Sequence, residues 1–214
     1  MKTTLLLIRH GFSTSNEDGT LTGQLDVPLT PLGVRQGEAA SRYLFENYRI
    51  DAIYASDLSR AVDTVRPLSE QTGLPILTDP DLREMACGDW TGEPIALLKE
   101  RYGTRYTRWA GADDAVVPEG GESWSKTAER MRGATLRIAE QNAGKTVAVA
   151  THGGALRALL GALLDIPSAL WQTALPYAPN ASVTRVTYGD GRFVYEGVTD
   201  EYLGALRTEM PKGL

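Results

Sequence analysis

The chain has 214 residues, 42% apolar and 23% charged, and its 22 basic and 27 acidic side chains leave a net charge of −5. That composition and length suit a globular protein with a sizeable core in one or two domains. They argue against nucleic acid as the main partner, and no apolar run approaches the ~20 residues of a membrane span. The run Thr4-Leu5-Leu6-Leu7-Ile8 stops at Arg9-His10, too short for a signal-peptide core. A single cysteine, Cys87, fits a reducing, cytoplasmic setting.

In chain order, Lys2 to Ile8 is a continuous apolar run suited to a strand buried on both faces. Thr30 and Pro31 supply an N-cap and a first-turn proline for a helix to about Asn47. Asp51 to Ala55 predicts a second buried strand. Ser56 or Asp57 can cap a helix from Leu58 to about Thr72, with Pro67 expected to kink or break it. The glycine- and charge-rich stretch from about 91 to 121 predicts an insertion or lid. An amphipathic helix follows from about Glu122 to Gln141, with Gly144 as its expected C-terminal cap. Thr146 to Ala150 predicts a third buried strand and Gly153 to Leu164 another helix. Ser182 to Tyr188 and Arg192 to Glu196 flank Gly189-Asp190-Gly191, a hairpin signal. Strands alternating with helices predict one α/β domain over 1–214, a three-layer α/β/α sandwich whose mainly parallel sheet ends in an antiparallel hairpin. A homodimer through that hairpin or the exposed helices stays open.

The only two histidines, His10 and His152, each follow a buried-strand pattern and precede glycine. Ligands of open α/β sheets bind beyond the carboxyl ends of the strands, so both imidazoles are expected on that edge, beside each other. Metal binding is one use for them, but no histidine or cysteine offers a third ligand nearby and Arg9 opposes a divalent cation. An anion is the better guest. Ser13, Thr14 and Asn16 lie on a loop with Gly11 that can wrap an oxyanion, and Gly153-Gly154 opens a helix whose first amides can face the same anion. Arg60 falls in the first turn of its helix, where the macrodipole disfavours a cation unless an anion is bound there; an ion pair with Asp57 or Asp63 would serve equally. Glu84, on periodicity alone, is a loop carboxylate.

Arg9-His10-Gly11-Phe12-Ser13-Thr14-Ser15-Asn16 resembles the RHG-x-[ST]-x-x-N signature of the histidine phosphatase superfamily, which includes the phosphoglycerate mutases. The resemblance continues through 23–30, Gly33, 56–61, Thr64, Leu82-Arg83-Glu84, Gly88, Trp90, Gly92, 120–123, Thr151-His152-Gly153-Gly154 and Asn180-Ala181-Ser182. It implies that His10 attacks phosphorus and forms a phosphohistidine, that Arg9, Arg60 and His152 hold the phosphoryl oxygens with Asn16 in support, and that Glu84 moves the proton. It also implies substrate contacts at Ser13, Thr22, Gly23 and Gly153. Neither a metal nor another cofactor is expected, and the partner is a small phosphorylated substrate.

Only 38 positions separate Glu84 from Glu122, without the paired arginines and multiple prolines of the longer mutase insertion. The mutase branch usually has asparagine at the position of Gly154. Both departures resemble the phosphatase branch. A phosphoglycerate mutase is the alternative, and a non-catalytic module for phosphorylated ligands a second. Arg101, Arg105 and Arg108 either contact a further anionic group of the substrate or form a solvated face balanced by Glu100, Asp113 and Asp114. Tyr102, Tyr106, Trp109 and Trp124 either line an aromatic pocket or pack in the core.

Overall fold

In a computed structural model the chain, described over residues 1–175 and 177–208, builds a six-stranded sheet in the order β3-β2-β4-β1-β5-β6. Strands β1 (Thr3–Arg9), β2 (Ala52–Ala55), β3 (Ile76–Thr78) and β4 (Thr146–Thr151) run parallel to one another. Antiparallel β5 (Val183–Gly189) pairs with β1, and β6 (Arg192–Thr199) completes the hairpin. The continuous apolar runs are explained by burial on both faces. Leu5, Leu7, Val147 and Val149 point into one hydrophobic cluster, while Leu6, Ile8, Ala148 and Ala150 point into another. Helices α2 (Pro31–Asn47) and α3 (Ser59–Thr72) cover the second cluster, adding Leu44, Val65 and Leu68. Helices α6 (Trp124–Gln141) and α7 (Gly153–Leu163) cover the first, adding Met131, Ile138, Leu156 and Leu160. Each valine, leucine, isoleucine or methionine side chain so removed from water contributes about 1.5–3 kcal/mol. The expected three-layer sandwich is the observed one.

The helix ends follow the local chemistry, with instructive exceptions. Thr30 caps α2 through the Gly33 amide at 3.1 Å, as expected. Neither Ser56 nor Asp57 caps α3. Asp57 is drawn away into a bidentate pair with Arg83, at 2.6 and 2.5 Å. The first amide of α3 is satisfied across the fold by Asp26, whose carboxylate accepts from Ser59 N at 2.8 Å and Ser59 Oγ at 2.7 Å. Pro67 lies inside α3 without ending it; it is half-buried, so the carbonyl it leaves unbonded one turn earlier can reach solvent. Ser123, rather than Glu122, starts α6 by accepting from Lys126 N at 3.1 Å. The helix closes at Asn142, and Gly144 serves the turn into β4 at φ +80°.

Two short elements gave no periodic signal: α1 (Thr14–Asp18) and β3, whose three residues are half-buried or exposed. Residues 91–121 contain α4 (Ile95–Tyr102) and α5 (Thr104–Ala110). Leu98, Tyr106, Trp109 and Val116 from this stretch, with Trp90 before it, join the cluster that holds Leu5 and Leu7. Its aromatic residues therefore weld it to the sheet. Removing the long-range cap of α3 by Asp26→Ala should lower stability by about 1 kcal/mol, read as a shifted urea midpoint at unchanged slope.

Candidate active site

Strands β1 and β4 lie side by side with Arg9 opposite Thr151, so the next residue of each is a histidine. The rings of His10 and His152 sit with centroids 5.2 Å apart, both buried, at the carboxyl edge of the sheet. His10 Nδ1 is 2.7 Å from the Gly11 carbonyl oxygen. The Gly11 amide donates to Thr64 Oγ1 at 2.9 Å, and that hydroxyl donates to the Arg60 carbonyl at 2.7 Å, tying the histidine loop to α3. Gly11 has no alternative here, because a Cβ would stand 2.4 Å from the Gly33 carbonyl oxygen. His152 is fully buried, with no hydrogen-bond partner on either ring nitrogen among the described residues.

Arg60 is 1% exposed, yet no carboxylate among the described residues forms an ion pair with it; its guanidinium donates to the carbonyls of Leu25 and Gly23 at 2.8 and 2.9 Å. The alternative of a pair with Asp57 or Asp63 is not realised, since those acids bind Arg83 and Arg66. Arg9 donates to the Ala178 carbonyl at 2.8 Å, and its guanidinium carbon lies 4.5 Å from the Tyr177 ring centroid. Asn16 Oδ1 accepts from Asn180 Nδ2 at 3.1 Å and from the Ser13 amide and hydroxyl at 3.2 and 3.1 Å, which leaves the Asn16 NH₂ as a donor. Ser13 itself is fully buried as the cap of α1.

Glu84 is held by backbone amides. Its Oε1 accepts from Ala155 N at 2.7 Å and Met85 N at 2.9 Å, and Oε2 from Gly154 N at 2.9 Å. The first turn of α7 thus receives a carboxylate of the chain itself, whereas Gly153-Gly154 predicted amides facing a bound anion. A Cβ at residue 154 would lie 2.8 Å from Glu84 Oε1, so glycine is what admits the acid. Behind it, Arg130 grips Glu122 through a 3.0 Å and a 2.8 Å bond and donates to the carbonyls of Asp81 and Arg83 at 2.8 and 3.0 Å. Gln24 Nε2 donates to the Glu84 carbonyl at 3.0 Å. Burial pushes the Glu122 carboxyl up, but Arg130 and the Ala86 amide outweigh it and hold the group below its ordinary range.

These groups open on one cavity of about 400 Å³. Arg9, His10, Asn16, Thr22, Gly23, Arg60 and Glu84 line it; His152, Ser13 and Gly153 stand behind the wall, where Ser15 and Gly154 take their places. Trp109 and Trp124 both line it and belong to the core cluster, while Tyr102 and Tyr106 only pack. Arg101, Arg105 and Arg108 are exposed and off the cavity, Arg108 paired with Asp113 at 2.8 Å. Cys87 lines the wall as a buried thiol whose pKa burial pushes up. Sequence reasoning missed Gln172 and Tyr177 on the cavity wall, and gave no role to Arg130, Arg157 or Asn180. Among the described residues no group of three or more His, Cys, Asp or Glu could hold a metal ion. The donors around His10 suit an oxyanion.

Residues 5–201 match the family model of the histidine phosphatase superfamily, branch 1. The chain belongs to that superfamily. It is 32% identical over 200 residues to an Arabidopsis thaliana metal-independent phosphoserine phosphatase, covering 92% of this chain and 82% of the relative. It is 33% identical over 199 residues to a probable phosphoglycerate mutase of Yersinia pestis, covering 92% and 91%. A mycobacterial glucosyl-3-phosphoglycerate phosphatase solved with VO3 superposes with a TM-score of 0.82 at 34% identity, over 90% of this chain and 96% of that one. This histidine phosphatase has no helix, among its described residues, long and apolar enough to cross a membrane.

Burial, reinforced by Arg60 and Arg9, lowers the pKa of His10 well below 6.5; burial, Arg60, His10 and Arg9 do the same for His152. The folded enzyme therefore carries both rings neutral where the unfolded chain has begun to bind protons. Stability should be flat with respect to these groups above pH 6.5 and fall as pH drops below it, until the lowered folded values are reached. The slope approaches about 1.4 kcal/mol per pH unit for each ring. Chemical denaturation between pH 8 and 5 measures it. A His152→Gln variant should lose part of the acid-side slope.

Proposed function

We propose that this histidine phosphatase hydrolyses small phosphate monoesters, with His10 as nucleophile and Glu84 as proton donor and acceptor. The observation that carries the reading is the 2.7 Å contact between His10 Nδ1 and the Gly11 carbonyl oxygen. A carbonyl only accepts, so the neutral ring bears its proton on Nδ1 and its lone pair on Nε2. Nucleophile and tautomer are set before substrate binds.

Nε2 attacks phosphorus in line; the P–Nε2 bond forms as the P–O ester bond breaks, and the departing oxygen takes a proton from Glu84. Water then attacks the phosphohistidine, giving its proton to Glu84, and the P–N electron pair returns to Nε2. The sum is ester plus water to alcohol plus phosphate. Arg9 and Arg60 hold the phosphoryl oxygens, with the Asn16 amide beside them and His152 donating from behind. Three backbone amides occupy Oε1 twice and Oε2 once. A carboxylate offers about four lone-pair positions, so Oε2 keeps the site that carries the proton.

Gly154 supports hydrolysis over mutase chemistry, because the mutase branch usually carries asparagine at that position. Phosphoserine and phosphoglycerate esters, named in the relatives, are the first substrates to assay. We place the enzyme in the cytoplasm, on its single buried cysteine.

Rapid quenching with ³²P-labelled ester should trap base-stable, acid-labile label on the wild type and none on His10→Ala. Fast 2-/3-phosphoglycerate interconversion with little phosphate release would assign the mutase reaction instead. Glu84→Gln should slow alkyl phosphates by about a hundredfold or more and p-nitrophenyl phosphate far less, since the better leaving group departs without a proton. Equal losses on both would remove Glu84 from proton transfer.

A further inference from the structure

Arg157 stands one helical turn beyond Gly154 on α7, and both residues line the cavity that holds His10 and Glu84. It is 6% exposed, and no carboxylate forms an ion pair with it among the described residues. What fixes it is neutral. Its Nη1 donates to Gln172 Oε1 at 2.5 Å, and Gln172, on α8 (Trp171–Ala174), is oriented by donating through Nε2 to the Ala110 carbonyl. Its guanidinium carbon lies 4.6 Å from the Tyr177 ring centroid, and its Nε is buried without a hydrogen-bond partner.

Burying a cation with no counter-ion costs several kcal/mol; an amide and a phenol ring orient the fork without cancelling its charge. Arg60 shows the same pattern at the reacting end, held by carbonyls alone. Arg9 packs against the same Tyr177 ring at 4.5 Å, which limits the Arg9–Arg157 separation to about 9 Å. A two- or three-carbon skeleton can place one anion on each. The reacting end gathers Arg9, Arg60, His10 and Asn16 around a dianionic phosphoryl group. Beyond them Arg157 presents a single fork beside the Gln172 amide and the Tyr177 ring, a donor set for a planar, singly charged group; Lys99 also lines the cavity.

Resting on the phosphatase reading above, we propose that Arg157, oriented by Gln172 and Tyr177, binds a carboxylate of the substrate, so that the preferred esters are phosphorylated hydroxy acids of two or three carbons. Arg157 sets specificity and takes no part in the chemistry.

The test compares kcat/KM for 3-phosphoglycerate with that for glycerol 3-phosphate, which replaces the carboxylate by a hydroxymethyl group on the same skeleton. Wild type should prefer the acid by tenfold or more. Arg157→Met keeps the apolar stem and should bring the ratio close to one, and Arg157→Lys should leave it in between. A wild-type ratio near one overturns the proposal, as does a ratio that Arg157→Met leaves unchanged. Should Arg157→Met fail to fold, judged by its circular dichroism melt, the Lys variant decides on the same ratio. If wild type releases phosphate from neither these nor any other ester, the phosphatase reading fails instead. The carboxylate site is then read by calorimetry of both compounds on His10→Ala: preferential binding of 3-phosphoglycerate, reduced but not abolished by Arg157→Lys, upholds it, and equal binding of the two compounds removes it.

Discussion

The parallel pairing of β1 with β4 is the constraint from which the site follows. Six consecutive residue pairs, from Thr4 opposite Thr146 to Arg9 opposite Thr151, fix the register of two strands that lie more than a hundred positions apart in sequence. Each is buried on both faces, so a slip of one residue would move every side chain to the opposite cluster. That penalty locks the histidines side by side, because each is the first residue past the end of its strand. The packing of Leu5 to Ile8 against Val147 to Ala150 thus performs an alignment that no hydrogen bond between the two rings supplies.

Given that alignment, electrostatics decides which chemistry the pair can support. The chain as a whole is negative, yet the carboxyl edge of its sheet concentrates Arg9 and Arg60, with Arg157 a turn away. Burial together with Arg60 and Arg9 lowers the pKa of both imidazoles well below 6.5. On the proposed mechanism, a neutral imidazole among fixed cations serves as nucleophile toward a phosphoryl group whose oxygens the cations would hold. Glu84 sits inside this positive field on three amides of the α7 turn and its own loop. The helix end thereby orients the acid, and the phosphoryl contacts of the proposed mechanism fall to side chains.

The strands, the main helices and the two histidines were legible because their signals are local: apolar runs of strand length, a Thr-Pro helix start, and a histidine before glycine at two strand ends. The family pattern extended this to Arg60 and Glu84. What was not legible depends on partners distant in sequence. Asp57 has the right type and place to cap α3, but Arg83 claims it and Asp26 arrives from another loop. Ser13 has a hydroxyl suited to an oxyanion and spends it on the α1 turn and Asn16. Arg130 reads as a surface residue of an amphipathic helix until the fold sets Glu122 and three carbonyls of the Glu84 loop around it. Among seventeen arginines, Arg157 closes the Gly153-to-Arg157 stretch that resembles the phosphatase branch, but that resemblance gives it no role; its burial and the lack of an acid partner among the described residues single it out.

The distribution of acids around these arginines follows from a competition between stability and binding. Arg83, Arg108, Arg130 and Arg137 each have a carboxylate within 2.5–3.1 Å, and all lie away from the cavity wall. Arg60 and Arg157 line the cavity and are met by carbonyls, an amide or a ring. A carboxylate placed at either would stabilise the free protein and occupy the groups that a substrate anion needs, so affinity would fall as stability rose. Neutral acceptors hold a guanidinium in place without an ion pair, and on the proposed reading a bound anion removes the cost of burying it. Since the cost is present only in the free protein, its relief adds to binding free energy. On the same reading, the buried His152, whose ring nitrogens have no hydrogen-bond partner among the described residues, keeps its donor for the phosphoryl oxygen of the proposed mechanism.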